Sequence, residues 1–372
     1  MAETLHIAGV HCALKDLGWN QRKLAEAVGV SPQTVTNWLK GQDFPRPAAL
    51  LKLSRELKLS FDQLVMSEAC EPIIAFRRKA ATKTTAEHFE KAKNIGHLLR
   101  PLVPVLDTLD EAQTVFRTPT CDYDNVERLA AGRRAALGIS QDAVIDYAQL
   151  IKAFRQNGAV LVPVMWGISK RHENALHILL PEENVTFVYV NLDIRVEDFK
   201  FMMAHELAHI FTPTLCGTNG GEDFADAFAG ALLFPKELAE VTHKKCHGKS
   251  KNECMGILQS IAAAQRVSLF TVFSQVSAYR LRHGCDLLPV DATTIHMVRN
   301  AAPGETVSHS IWGALAPKPE LYIDAVRERF DSPFFVALRQ LLQSGQGGAG
   351  YVQQVLDLSR ADAVAIHTAL TH

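Results

Sequence analysis

The chain has 372 residues, 47% hydrophobic and 21% charged, with 39 Lys and Arg against 40 Asp and Glu. These proportions suit a folded protein of two or three domains and exclude an extended disordered chain. A net charge of −1 excludes a polyelectrolyte, so any nucleic-acid contact must come from a local surface.

The first stretch, MAETLHIAGVHCALKDLGW, carries charges throughout and does not read as a signal peptide. No apolar run approaches the length of a membrane span, so no membrane partner is expected. The seven cysteines are scattered, odd in number and without a C-x-x-C pair, which fits a reducing cytoplasm.

Thr4 to Met66 reads as one helical unit. Asn20–Val28 is a short helix and Gly29-Val30 a turn in which Gly29 takes positive φ. Ser31 then caps the next helix, with Pro32 at its first position. That helix runs from Gln33 to about Lys40 and stops at Gly41. Ala25, Val28, Val30, Val35 and Leu39 can close a small core, which makes the pair a helix-turn-helix. Further helices are predicted over Pro47–Leu57 and Ser60–Val65. The stretch resembles the lambda-repressor-like (XRE-type) DNA-binding domain.

For a double-stranded DNA operator, Gln33, Thr34, Thr36 and Asn37 lie at the exposed front of the second helix as candidates for base edges. The resemblance implies that Gln21 holds a phosphate and buttresses the reading helix. Ser31 and Lys40 are further phosphate candidates. Eight Lys and Arg against five Asp and Glu in Thr4–Met66 is a modest surplus, which suggests a homodimer on paired half-sites.

CEPIIAFRRKAATKTT reads as a linker whose basic cluster Arg77-Arg78-Lys79 is a solvated face or a DNA contact. Ala86–Leu99 is amphipathic, with Phe89, Ile95, Leu98 and Leu99 on one side, for self-pairing or for packing on the following domain. Asp122 caps a helix through Leu137, and Ser140 caps another through about Gln156. Ala159–Val164, Ala175–Leu180 and Val185–Asn191 are strands, and Pro163 argues for an edge position of the first.

Phe199–Phe211 reads FKFMMAHELAHIF, with His205, Glu206 and His209 in the order H-E-x-x-H. Four residues apart on a helix, His205 and His209 share a face and can reach one ion. Glu206 is rotated aside, placed to act on a water beside that ion. The rest of the helix is apolar nearly all round, so burying these polar groups without a partner would be costly. After the loop Thr212–Gly221, a second apolar helix begins at Glu222. A catalytic zinc takes three protein ligands, and Glu222 can be the third. Asp226, one turn on, can accept the second ring N–H of a ligating histidine.

His205-Glu206-x-x-His209, followed by Glu222-x-x-Ala225-Asp226-x-Phe228-Ala229-x-x-Leu232-Leu233-x-Pro235, resembles the ImmA/IrrE family of zinc metallopeptidases, over about Tyr123–Leu288. Phe234 stands where that family often has Met, and the loop between His209 and Glu222 is short. The resemblance implies a zincin fold, one Zn2+ per chain, and a repressor protein as substrate, whose cleavage switches on stress-response or mobile-element genes. It also implies a closing helix over Val267–His283, ending in Arg280-Leu281. The rival reading is a transcription factor whose zinc domain senses a signal or partner and cuts nothing.

Around this core, THKKCHGKSKNEC reads as a basic surface loop; the spacing of His243, Cys246, His247 and Cys254 matches no second metal site. Tyr279 and His283 are possible oxyanion donors. Residues after Pro289 form helices without an evident role, with Gly345–Gly350 as a hinge before the last. The expected fold is mainly α. A helix-turn-helix domain (1–68) is followed by a linker and connecting helix (69–121), an α+β zincin-like domain with a small sheet (122–289) and a helical tail (290–372).

Overall fold

The computed structural model describes residues 3–5, 7–67, 71–76, 86–106, 114–166, 175–301 and 304–372. The chain divides into two compact units, Met1–Glu71 and Pro72–His372. The basic cluster 77–79 lies outside the described residues.

In the first unit, α1 (Ile7–Asp16), α2 (Gln21–Val28), α3 (Pro32–Leu39), α4 (Pro47–Leu57) and α5 (Phe61–Leu64) surround one small core. Asn20 Oδ1 accepts the Lys23 N–H at 2.9 Å to start α2, and Ser31 Oγ accepts the Thr34 N–H at 3.1 Å to start α3. Gly29, at φ 76°, turns the chain between them. Leu24, Ala25, Val28, Val35 and Trp38 are buried at the crossing; Val30 and Leu39 are only partly so. The unit is not purely helical. Its two ends pair as antiparallel strands β1 (Glu3–Leu5) and β2 (Val65–Ser67), with Thr4 opposite Met66.

The second unit is built on a four-stranded sheet of β3 (Ile73–Phe76), β4 (Ala159–Val164), β5 (Ala175–Leu180) and β6 (Val185–Asn191), in the order β3-β5-β6-β4. β4 and β6 are parallel and the other pairs antiparallel. β4 is at an edge, as Pro163 requires. The other edge corrects the expectation of a linker: Ile73–Phe76 pairs with β5, with Ile74 opposite Ile178 and Ala75 opposite His177.

Both faces of this sheet are covered, which is why β4 to β6 read as nearly continuous apolar runs. On one face, Leu161, Val188 and Val190 join a core with α7 (Tyr123–Ala136), α8 (Tyr147–Gln156), α9 (Val196–Phe211) and α10 (Asn219–Leu233). Beyond these lie α11 (Lys236–Cys246), α12 (Lys251–Gln265), α13 (Leu269–His283), α14 (Ala292–Ala301) and α15 (Val307–Trp312). On the other face, Ile74, Ile178 and Phe187 pack against α6 (Ala86–Leu99), α16 (Pro319–Arg329), α17 (Phe334–Gln343), α18 (Ala349–Leu356) and α19 (Arg360–Thr371). Tyr189 Oη donates to the Val355 carbonyl at 2.8 Å, and Trp166 Nε1 to that of Leu356 at 3.2 Å. Helices α16 to α19 therefore form part of the layer that covers this face of the sheet, within the same compact unit. α6 buries Ala92, Ile95 and Leu99 in the same layer, which leaves Phe89 at its exposed margin.

Three local expectations also change. α8 starts at Tyr147 under an Asp146–Gln149 capping box, while Ser140 bonds Asp142. Thr242–Cys254 is a helical hairpin, not a loop, with Cys246 and Cys254 buried. Two helices, not one, follow Gly345. No single described helix is long and apolar enough to cross a membrane.

Candidate metal centre and DNA-reading helix

α9 is buried from Phe199 to Phe211 apart from the half-buried Phe201, while its acidic first turn, Glu197 and Asp198, stays at the surface margin. α10 begins beside it. Thr218 Oγ1 accepts the Gly221 N–H at 3.0 Å, and a Cβ on Gly221 would stand 2.1 Å from the Leu215 carbonyl oxygen. Only glycine lets the turn approach so closely, and that approach sets Glu222 against α9.

His205 Nε2 and His209 Nε2 are 3.2 Å apart. Glu222 reaches His205 Nε2 at 3.4 Å through Oε2 and His209 Nε2 at 3.3 Å through Oε1. Among the described residues these three form the one group of His, Cys, Asp and Glu that converges in this way. A tetrahedral ion with bonds of about 2.1 Å sets its ligands about 3.4 Å apart, so the donor set fits a zinc ion. His205 Nδ1 lies 2.9 Å from Asp226 Oδ1, which fixes the tautomer that presents Nε2 as a lone pair. Burial alone would raise the Glu222 carboxyl, but the hydrogen-bonding imidazoles of His205 and His209 outweigh it and hold the group at about 2.

Glu206 is fully buried, close enough to His205 and His209 to feel both imidazoles, and one carboxylate oxygen reaches β5. There it meets a residue that sequence reasoning missed. His177 Nδ1 lies 3.5 Å from Glu206 Oε2, and its ring stands edge-on to that of His209, centroids 5.5 Å apart. The alternation of β5 puts Leu176 and Ile178 on the C-terminal layer and His177 on the α9 side. One signal was available: His177 is the only polar residue in the run ALHILL. Burial pushes the His177 pKa down against the pull of Glu206. Burial would raise the Glu206 carboxyl, but the imidazoles of His177, His209 and His205 together hold it low.

Tyr279 and His283 lie tilted against each other on α13, centroids 4.4 Å apart, and His283 packs edge-on to Tyr123, outside the converging group. His243 Nε2 lies 3.1 Å from the Asp286 carbonyl oxygen and takes no part in it either. A cleft of about 1200 Å3, walled by Tyr123, Glu127, Asp198, Gln275 and Arg299, opens beside Asp226. His205, Glu206, His209 and Glu222 do not line it.

In the first unit, the structure brings Gln21 against α3: Thr36 Oγ1 donates to Gln21 Oε1 at 3.3 Å. Gln33 Nε2 donates to Asn37 Oδ1 at 3.0 Å, so these two side chains act together on one face. Asn37 Nδ2 in turn donates to Asp43 at 3.2 Å. Ser31, Gln33 and Lys40 are exposed, and Thr34 and Thr36 partly so. Ser31 Oγ is engaged as the cap of α3, and Lys40 closes its C-terminal end.

Residues 13–64 match the family model for the helix-turn-helix. The N-terminal unit is a helix-turn-helix domain of the kind by which transcriptional regulators bind DNA. No curated protein and no solved structure matches the chain.

Proposed function

We propose that the chain is a DNA-binding transcriptional regulator whose second unit is a zinc-dependent endopeptidase, in keeping with its resemblance to the ImmA/IrrE peptidases. The observation that carries this reading is the convergence of His205 Nε2, His209 Nε2 and the two Glu222 carboxylate oxygens at 3.2–3.4 Å, with a carboxylate one residue after the first ligand. His205, His209 and Glu222 would hold the ion, and Asp226 would orient His205. A zinc ion there supplies Lewis-acid polarisation of a scissile carbonyl and of a water. Glu206 takes the proton of the attacking water and returns it to the leaving amine. The substrate is a repressor protein, and its cleavage releases stress-response or mobile-element genes. The chain works as a cytoplasmic homodimer on a two-half-site operator.

A second reading has its own support: Glu206 is 1% exposed, which suits a zinc domain that senses a signal or partner without cutting. To separate the two, the full chain loaded with one equivalent of zinc is incubated with casein and with the repressors encoded beside its gene. New N-termini are then sought by mass spectrometry. Chelator-sensitive cleavage supports the peptidase; intact proteins with zinc bound support the sensor.

A further inference from the structure

The reacting groups are sealed: His205, Glu206 and His209 are each 1% exposed. Part of the seal is β3. It lies antiparallel on the outer edge of β5, with Ala75 directly opposite His177, the residue that faces Glu206. Directly opposite residues share one face of a sheet at about 5 Å, so Ala75 lies on the α9 side beside His177. The other flank of β3 is closed by the turn ahead of Glu222. A Cβ on Gly217 would stand 2.9 Å from the Ile74 carbonyl oxygen, and Gly217 itself has φ of 76°. Its neighbour Cys216 is buried, and the same turn runs through the Thr218 cap directly into Glu222 at the start of α10. β3 thus fills the gap between β5 and the turn Cys216-Gly217.

Resting on the peptidase reading, whose zincin resemblance already implies that an extended substrate adds to the sheet edge, we propose that in this chain β3 is a resident, displaceable occupant of that edge on β5. A peptide added to a sheet edge gains its main-chain hydrogen bonds from that edge and its specificity from alternate side chains. The target must therefore displace Ile73–Phe76 and bring a small residue, as Ala75 is, to the position opposite His177. β3 begins two residues after the first unit ends at Glu71, so the segment that guards the site is also the chain's exit from the DNA-binding domain.

The test uses the full chain with Ile73→Cys and Leu179→Cys, two residues that face each other across β3 and β5 and belong to neither ligand set nor base. Opposed strand residues lie within disulfide reach. Oxidation locks β3 in place and reduction frees it, so the reduced form controls for folding and each single-cysteine variant for the native thiols. Zinc alone is the first probe: its transfer from the protein to a chromogenic chelator should slow at least about tenfold in the oxidised form and recover on reduction. The second probe is an extended peptide of the Pro72–Phe76 sequence, which should bind the reduced form and not the oxidised one. Equal zinc transfer and equal peptide binding in both states would show that β3 is only a structural edge strand and overturn the proposal. Failure to bind zinc at all would instead overturn the metal reading on which it rests.

Discussion

His177 Nδ1 stands 3.5 Å from Glu206 Oε2 inside the second unit, and neither atom makes a regular hydrogen bond. A buried carboxylate is partly offset by the dipole of a neutral imidazole at this distance, and removing the imidazole leaves the carboxylate less compensated. His177→Leu should therefore destabilise the metal-free chain by about 1–3 kcal/mol in urea unfolding. With Glu206→Gln already in place the same change should cost less, a coupling of at least about 0.5 kcal/mol. Additive effects would mean that the two side chains are neighbours without being partners.

A second carboxyl is set by burial. Glu127, on α7, is 4% exposed, and loss of solvent raises its pKa to about 7 against the opposing Lys236 N–H. The folded chain then holds a proton that the unfolded chain releases near pH 4.5. The associated stability is complete below that pH and is lost as pH rises through about 7. Glu127→Gln keeps an acceptor for Lys236 and removes the titration. It should equal the parent near pH 4 and exceed it by about 1–3 kcal/mol at pH 8 in urea unfolding.

The metal set divides by role. His205→Ala and Glu222→Ala should each abolish stoichiometric zinc binding. Asp226→Ala should keep the ion but weaken it about 10–100-fold, because Asp226 meets His205 at Nδ1, not at the nitrogen that faces the ion. Elemental analysis and chelator competition read both. Full occupancy with unchanged affinity in Glu222→Ala would require another third ligand.

On DNA, Gln33→Ala should relax the choice of one base and cost about 1–3 kcal/mol, whereas Lys40→Ala should weaken binding to every sequence and flatten its salt dependence. Gln33 donates to Asn37, so Asn37→Ala should loosen the same base. Removal of residues 1–66 should abolish operator binding in a gel shift while leaving zinc binding intact. A truncated chain that still binds the operator would place the DNA contact elsewhere.

The legible parts of this molecule are local. Asn20, Gly29 and Ser31 act within one helical turn, so α2 and α3 can be read from the residues themselves. The same holds for His205 and His209, whose spacing is the pitch of a helix. Trp38 escaped because its place in the core depends on how α3 crosses its neighbours. Ile73–Phe76 escaped because its partner, β5, lies a hundred residues further on, and four residues between polar stretches carry no period of their own. The unbroken apolar runs of β4 and β6 imply two covered faces. That α16 to α19 supply the second cover is a tertiary fact, as is the approach of His177 to Glu206.

The central claim is that Glu206 works as a base beside a bound metal. Glu206→Gln keeps the side chain's size and its hydrogen-bond acceptor but removes the base. Zinc content and operator binding should match the parent, while cleavage of the repressor substrate should fall by about 10²–10⁴-fold, and the target genes should stay shut under the inducing signal. A Glu206→Gln chain that holds its zinc and still switches those genes on in full would contradict the account.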